Sequence, residues 1–148
     1  MSPPGSPCSE YRLRRRVHFY EVDSAGIVHF SNYFRYMEEA EHALWREAGL
    51  SIAPPGAGIG FPRVSAAFDY HLPLRFEEEF AVTIRVAAMT RKTIQYACLV
   101  TRGDARIATG TLTVVCVSKG PEGSMKAVAI PADIASRFEV EALPESQK

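Results

Sequence analysis

The sequence predicts an α+β domain in which one long helix covers a face of a mostly antiparallel sheet. Two observations predict this class. A single segment with helical spacing of apolar residues begins near Phe30, and several segments with alternating apolar residues follow it. The chain has 148 residues, a length typical of one domain. We therefore expect a disordered tail over 1–10, a single domain over 11–140 and a flexible C-terminus over 141–148.

The first predicted elements are a strand and the helix. Residues 12–20 alternate between apolar and polar side chains, which indicates a half-buried strand. From Ser31, a plausible N-cap, the spacing becomes that of a helix of about four to five turns, and Gly49 suits its C-cap. The residues assigned to the buried helix face are Phe30, Phe34, Met37, Leu44, Trp45 and Ala48. The charged residues between them, Glu41 included, are assigned to the remaining face.

Alternation returns after a Gly- and Pro-rich loop over 53–62. Strand-like segments follow around 64–70, 80–86, 94–100 and 107–117, and short turns between the last of them predict antiparallel hairpins. Residues 131–138 are predicted to add a short terminal helix. One helix cannot cover a five-stranded sheet and also enclose a deep pocket. We therefore expect a second copy of the chain to help close the site.

The composition excludes several partners. Lys and Arg number 17 and so do Asp and Glu, so the net charge is zero and no nucleic-acid partner is expected. No apolar run is long enough to span a bilayer, so no membrane partner is expected either. The three cysteines are widely spaced, without a Cys-x-x-Cys pair, and indicate neither a disulfide framework nor a zinc site. Together these features predict a soluble protein of the reducing cytoplasm.

Common catalytic motifs are missing from the sequence: G-x-S-x-G, H-E-x-x-H, the P-loop and G-x-G-x-x-G. Glu39 and His42 have the Glu-x-x-His spacing of di-iron bundles, but such a site needs a second copy of the pair and the sequence has none. No metal site is predicted. His18, His29 and His71 are isolated, and lone histidines are usually structural. His29 stands out only because it lies next to the predicted helix start.

The stretch from Asp23 to Phe30 combines three features in front of the helix. Asp23 supplies a carboxylate, and Gly26 permits an unusual turn or a close backbone approach. Amides near Phe30 are expected to be unsatisfied donors at the helix start, where the helix dipole favours a developing oxyanion. The aspartate of an Asp-x-x-Gly turn can also serve only to stabilise its own turn. The residues alone therefore leave two interpretations open.

The string DSAGIVHFSNYFRYME, which begins at Asp23, closely resembles the motif of hotdog-fold acyl-CoA thioesterases of the 4-hydroxybenzoyl-CoA thioesterase type, which includes the YbgC-like proteins. The segments YHLPLRFEEEFAV, TRKTIQY and KAVAIPADI resemble the same family, so the resemblance runs from residue 12 to about 138. It implies a hotdog fold, a five-stranded antiparallel sheet wrapped around one long helix. It also implies a homodimer, assembling to a homotetramer, with active sites at the subunit interface.

The resemblance further implies roles for single residues. The aspartate that matches Asp23 is the nucleophile or general base, and the amide that matches Phe30 polarises the thioester carbonyl. With Gly26, whose turn follows Asp23, these residues form the predicted catalytic set. The predicted substrate-binding set includes three residues near the helix. His29 lies next to the helix start, Tyr33 is an aromatic wall for the acyl group, and Glu38 matches an acidic position on the family's helix. The basic residues of that set, matching contacts to the nucleotide of coenzyme A, are Arg91, Lys92 and Lys126.

The predicted activity is hydrolysis of an acyl-CoA thioester to the free acid and coenzyme A. No separate cofactor is expected, because coenzyme A is part of the substrate. Two alternatives stay open: a hotdog dehydratase or hydratase that uses His29, and a non-catalytic module that binds acyl-CoA. The sequence singles out no acyl group, and it does not distinguish coenzyme A from an acyl carrier protein.

Overall fold

The computed structural model of the chain describes residues 6–140. Its elements, in chain order, are β1 (Glu10–Arg16), α1 (Asn32–Glu47), β2 (Ile59–Gly60), β3 (Arg63–Tyr70), β4 (Glu79–Met89), β5 (Thr93–Arg102), β6 (Ala105–Val115), β7 (Val117–Lys119), β8 (Met125–Ala127) and α2 (Ala132–Ala135). Short 3-10 turns cover Phe19–Glu21 and Pro121–Gly123. One long helix among many strands confirms the predicted α+β class.

The main sheet has five strands in the order β1-β4-β5-β6-β3, and all neighbouring strands are antiparallel. This order makes β1 and β3 the two edges. The predicted hairpins β4–β5 and β5–β6 are confirmed. The predicted strand over 107–117 is interrupted at Cys116, whose amide donates to the carbonyl of Lys92 at 2.8 Å. Beyond this break, β7 joins a separate small sheet of order β2-β7-β8.

The helix α1 covers one face of the sheet and supplies much of the core. Its buried residues include Met37, Leu44 and Trp45, and the indole N–H of Trp45 donates to the hydroxyl of Tyr96 at 2.9 Å. Each large apolar side chain buried in this way contributes about 1.5–3 kcal/mol. The helix ends as predicted at Gly49, whose φ of +81° is left-handed.

The predicted start of the helix needs one correction. Phe30 was assigned to the buried face, but it lies before α1 and its side chain is 62% exposed. Ser31 occupies the N-cap position, yet its hydroxyl lies 2.7 Å from Nδ1 of His29 and caps no helix amide. Helical spacing alone cannot distinguish a last loop residue from a first helical one, because both continue the same period.

The predicted tail over 1–10 is too long. Cys8 is buried, its amide donates to the carbonyl of Arg137, and its carbonyl accepts from the amide of Glu139, both at 2.9 Å. A Pro- and Ser-rich composition predicts disorder, but here the small apolar side chain of Cys8 packs in the core beside Phe138. Residues 1–5 and 141–148 lie outside the described residues, so both terminal predictions stay predictions there.

Two further predictions concern the ends and the membrane. The terminal helix is present but shorter than 131–138, since α2 covers only Ala132–Ala135. Within residues 6–140, no helix combines the length and the apolar character needed to cross a bilayer. The three cysteines are buried free thiols. The cytoplasmic location stays a prediction.

Candidate active site

The loop that holds Asp23 is a tight turn. The amide of Gly26 donates to the carbonyl of Asp23 at 2.9 Å, and Gly26 has a φ of +82°, which side-chain-bearing residues rarely adopt. An added Cβ at Gly26 would meet no atom within 4 Å, so the need for glycine is conformational. The expectation of an unusual turn at Gly26 is therefore confirmed.

The two carboxylate oxygens of Asp23 have different surroundings. Oδ1 accepts the amide of Ala25 at 2.8 Å and that of Ile27 at 3.4 Å. Oδ2 accepts no hydrogen bond from the described residues, and Asp23 has no ion pair with them. Neutral amides thus orient the carboxylate through one oxygen, and the other oxygen is available for chemistry.

Asp23 lines a cavity of about 510 Å³ beside the start of α1. The cavity walls are Asp23, Ile27, Val28, Phe30, Tyr33, Tyr70, His71, Leu72 and Pro73. The structure therefore brings together three predicted site residues, Asp23, Phe30 and Tyr33. The amide of Phe30, one residue before the N-cap of α1, donates to no acceptor among residues 6–140.

Tyr33 is the predicted acyl-group wall that lies in this cavity. Its side chain is buried, and the pKa of its hydroxyl is raised to about 12, mainly by burial and secondarily by Tyr70. Tyr33 is therefore neutral at physiological pH and presents a polar but uncharged group. The neighbouring residue Phe34 packs edge-on against Phe68.

Two predicted residues lie close to the cavity without lining it. Gly26 forms the Asp23 turn, as described above. His29 stacks on Phe30 with ring centroids 4.5 Å apart and contacts Ser31 through Nδ1. The histidine that lines the cavity is His71, whose Nε2 lies 3.1 Å from the hydroxyl of Thr109. Sequence reasoning missed His71 because its isolation in the sequence gave no signal.

Glu21 anchors the loop to the rest of the fold. Its buried carboxylate accepts from Arg15 at 2.9 Å, and Arg15 lies over the ring of Tyr36 at 4.6 Å. The carbonyl of Glu21 accepts both the amide of His29 at 2.9 Å and the side-chain amide of Asn32 at 2.8 Å. One residue thereby fixes the loop to β1 and to the first turn of α1, a function that the sequence analysis did not identify.

Glu38 does not lie in the Asp23 cavity. It contacts Arg63 at 3.2 Å, and Arg63 also contacts Glu41 at 2.5 Å. Glu41, which was assigned to the polar face of the helix, is fully buried. This assignment was wrong because Arg63, at the start of β3, supplies the opposite charge that makes a buried carboxylate tolerable.

The basic residues Arg91, Lys92 and Lys126 form a second group. Arg91 and Lys92 lie in the β4–β5 turn, where the carbonyl of Arg91 accepts from Ile130 and that of Lys92 from Cys116, both at 2.8 Å. Lys126 lies on β8, opposite Ser118 of β7, so this small sheet borders the same turn. The structure therefore brings the predicted nucleotide-binding residues to one end of the main sheet.

This basic end is far from Asp23 in one copy of the chain. The Asp23 loop is hydrogen-bonded to residues just before β4, through Val28 and the carbonyl of Leu74 at 2.8 Å. Arg91 and Lys92 come just after β4. Eleven residues of β4 separate the two regions, and a strand of that length is roughly 35 Å long.

Within residues 6–140, no group of three or more His, Cys, Asp or Glu side chains is arranged to hold a metal ion. The residues that line the Asp23 cavity supply a carboxylate, aromatic rings, apolar side chains and His71.

An antiparallel five-stranded sheet that wraps one long helix is the architecture of the hotdog fold. The model of the thioesterase-like superfamily matches residues 17–138. The chain therefore belongs to the thioesterase-like superfamily.

Individual relatives agree with this assignment. A putative esterase of Aquifex aeolicus (strain VF5) is 34% identical over 122 residues, which are 82% of this chain and 91% of the relative. The 4-hydroxybenzoyl-CoA thioesterase of Pseudomonas sp. (strain CBS-3) is 22% identical over 82% of this chain and 92% of its own length. The structure of a gentisyl-coenzyme A thioesterase superposes with a TM-score of 0.78 at 25% identity, covering 87% of this chain and all of that one.

Proposed function

We propose that this protein hydrolyses an acyl-CoA thioester to the free carboxylic acid and coenzyme A in the Asp23 cavity. One observation carries the proposal: Asp23 and Phe30 line the same cavity. Among residues 6–140, nothing donates to Oδ2 of Asp23 and nothing accepts from the amide of Phe30. Asp23 is the nucleophile or the general base. The amide of Phe30 stabilises the negative charge that develops on the thioester oxygen.

This sparse set of groups suffices for a thioester. Its carbonyl is electrophilic, and the departing thiol has an ordinary pKa near ~8.5, so a strong general acid is unnecessary. In one route, Oδ2 of Asp23 removes a proton from water as the water attacks. In the other, Oδ2 attacks the carbonyl itself, coenzyme A leaves as the thiolate, and water then hydrolyses the acyl–Asp23 anhydride.

The acyl group that we propose is aromatic. Tyr33, Tyr70 and Phe30 supply aromatic walls, and the rings of Tyr33 and Tyr70 meet edge to face at 5.0 Å. Rings in this arrangement favour a flat aromatic guest. Two of the relatives described above act, by their names, on 4-hydroxybenzoyl and gentisyl thioesters.

We further propose that the site is completed by a second copy of the chain. Arg91, Lys92 and Lys126 are too far from Asp23 to hold the nucleotide of the same substrate molecule within one copy. The edge strand β3 is unpaired on its outer side, and Val64 on it is 59% exposed. If two β3 strands pair antiparallel about a two-fold axis, the basic end of one copy comes close to the Asp23 cavity of the other.

The activity is tested by thiol release across a panel of aromatic, short-chain and long-chain acyl-CoA thioesters, with Asp23→Asn as the inactive variant. The buried cysteines are poor competitors in such an assay, because burial raises the pKa of Cys98 to about 12 and raises those of Cys8 and Cys116. We expect fastest turnover of aromatic substrates. Binding of acyl-CoA without thiol release on the whole panel would instead establish a binding module.

A single turnover in isotopically labelled water tests the two routes. Label retained in Asp23 supports the anhydride, cleaved by water at the carboxyl carbon of Asp23. Label in the acid shows that water attacked the acyl carbon, which direct hydrolysis requires. The dehydratase alternative is tested with His29→Ala. Loss of turnover there, with full activity in Asp23→Asn, would replace the present proposal.

The shared site is tested with heterodimers purified through two different tags. When one copy has Asp23→Asn and the other has Arg91→Ala with Lys92→Ala, we expect about half of wild-type activity, because one composite site is intact. The matched control places all three substitutions in one copy and pairs it with a wild-type copy. If the site is shared between copies, the control heterodimer should be nearly inactive, because each of its sites contains a substituted residue. If the site lies within one copy, the control heterodimer should be the active one of the two, because its wild-type copy is intact. Light scattering distinguishes a dimer from the tetramer that the resemblance implies.

A further inference from the structure

Tyr70, the last residue of β3, is hydrogen-bonded to the residue that we propose as the oxyanion donor. Its hydroxyl donates to the carbonyl oxygen of Phe30 at 2.9 Å. Its ring packs edge to face on Tyr33 and lines the cavity beside Asp23. The bond therefore joins the edge strand of the sheet to the start of α1 within the candidate active site.

The residues on both sides of Phe30 are held, because the amide of Asn32 donates to the carbonyl of His29 at 3.0 Å, but direct contacts to Phe30 itself are few. Its side chain is 62% exposed, and its carbonyl accepts no other hydrogen bond from residues 6–140. The neighbouring hydroxyl of Ser31 is engaged by His29 and does not cap the helix. The ring contact with His29 is between two exposed side chains and adds little restraint.

The amide and the carbonyl of Phe30 belong to the same residue. They lie in successive peptide units on either side of the Phe30 Cα. The amide of Asn32 donates to the carbonyl of His29 at 3.0 Å and so holds the unit that contains the Phe30 amide. The bond from Tyr70 holds the following unit, and the two bonds together limit how far the Phe30 amide can move from the cavity. The restraint matters because an oxyanion donor acts at about 2.7–3.1 Å from the developing charge, and a displacement of ~1 Å can cost about a hundredfold in rate.

We infer that Tyr70 is a positioning residue for thioester hydrolysis, which holds the amide of Phe30 toward the substrate carbonyl through its hydroxyl. This inference rests on the proposed function. The hydroxyl uses its single proton on Phe30, so Tyr70 acts through that residue and donates no proton to the leaving group.

The protonation state of Tyr70 agrees with this assignment. Partial burial raises the pKa of its hydroxyl above the ordinary value for tyrosine. The phenol therefore stays protonated throughout the neutral range and can donate its hydrogen bond to Phe30 there.

The test compares Tyr70→Phe with Tyr11→Phe. The first change keeps the ring against Tyr33 and removes only the hydroxyl. The second removes a hydroxyl from a half-buried tyrosine on β1, outside the cavity. We expect Tyr70→Phe to lower kcat by about ten- to a hundredfold, with little change in KM or melting temperature. We expect Tyr11→Phe to resemble the wild type.

A second readout does not depend on turnover. In the Asp23→Asn background, an acyl-CoA with a ¹³C-labelled carbonyl is bound, and its carbonyl stretch is followed by infrared spectroscopy. A hydrogen bond from the amide of Phe30 lowers this frequency. Adding Tyr70→Phe should return the band toward its position in water or broaden it, whereas Tyr11→Phe should leave it unchanged.

Several outcomes would overturn the inference. One is a kcat of Tyr70→Phe equal to that of Tyr11→Phe. Another is a raised KM with unchanged kcat, which would make the hydroxyl a direct substrate contact. An unchanged carbonyl band despite a lower kcat would also exclude it. Absence of hydrolysis by the wild type would instead remove the proposed function, and the infrared comparison would still report whether Tyr70 orients the bound carbonyl.

Discussion

Two carboxylates near α1 differ in what surrounds them. Asp23 lies half-buried before the helix, is oriented by neutral amides through Oδ1, and lines a cavity with a second oxygen that accepts no hydrogen bond from the described part of the chain. Glu41 lies within the helix, is fully buried, and contacts Arg63 at 2.5 Å. A buried carboxylate neutralised by a cation is committed to structure. A carboxylate that is oriented but not neutralised is available for chemistry. Substitutions at Asp23 and at Arg63, the partner of Glu41, test this difference.

Loss of the Asp23 carboxylate is expected to have the largest effect. Asp23→Asn keeps an oxygen for the turn amides but removes the nucleophile or base, so kcat should fall by at least about a hundredfold. The free energy of unfolding should change by less than about 1 kcal/mol. Steady-state kinetics and urea denaturation measure the two quantities. Asp104→Asn, in the exposed β5–β6 turn, is the control, and a similar loss of kcat there would contradict the assignment.

Removal of Arg63 should produce the opposite pattern. Arg63→Met leaves Glu41 buried without its main partner and should lower the free energy of unfolding by about 3 kcal/mol at pH 7. The folded enzyme should keep most of its kcat. Urea denaturation and active-site-normalised kinetics check the pair of statements. If Arg63→Met is as stable as the wild type, the ion pair between Arg63 and Glu41 does not stabilise the fold.

The destabilisation caused by Arg63→Met should depend on pH. Burial raises the pKa of Glu41, and Arg63 opposes this shift. The pKa of Glu41 is thus higher in the folded state than in the unfolded state, where it is about 4.3. The stability contribution of Glu41 is therefore present at a pH below the unfolded-state pKa and is lost as the pH rises through the folded-state pKa. Without Arg63, the pKa of Glu41 in the folded state is higher still. The defect should therefore be smallest near pH ~4 and grow toward neutrality.

The control for this pH dependence is the double variant Arg63→Met with Glu41→Gln. It lacks the titrating carboxyl, so its stability relative to the wild type should not show the additional loss between acid and neutral pH. Urea midpoints collected from acid to neutral pH give both curves. Parallel curves for the single and double variants would mean that Glu41 does not titrate in this range.

Alanine substitutions at two glycines are expected to have the smallest effects, and they separate backbone strain from an effect on catalysis. Gly26 and Gly103 both have positive φ, +82° and +58°, and neither would place a Cβ within 4 Å of another atom. Alanine at either position should cost about 1 kcal/mol of stability. Only Gly26→Ala should also lower kcat, because only that turn orients Asp23. Equal kinetics in the two variants would show that the Asp23 turn tolerates distortion.

Local patterns in the sequence predicted most of the fold. Alternation located the five strands of the main sheet, although the first ends at Arg16 and not at residue 20, and helical spacing located α1, which stops just before Gly49. The small sheet of β2, β7 and β8 was not predicted. The Asp23 turn was predictable because its geometry depends on Gly26, three residues away. These features depend on neighbouring residues, which is the information that a single sequence provides most directly.

The features that were missed depend on contacts between distant segments. Glu41 lies between Met37 and Leu44 on the buried helix face, and this position was a signal of burial, but its partner Arg63 is recognised only in the fold. Tyr70 and His71 reach the cavity because β3 ends there. The separation of Arg91 from Asp23 follows from the direction of β4, which no motif encodes.

The contact between Cys8 and the segment 137–139 has a consequence for engineering the protein. Both ends of the described chain emerge side by side, near the last turn of α1, where Arg137 donates to the carbonyl of Ala48 at 3.2 Å. A short linker could join them, and new termini could be opened at the exposed β5–β6 turn. Such a circular permutant would keep Asp23, Phe30 and Tyr70 in place, while β6 and the C-terminal segment would leave the ribosome before these residues instead of after them.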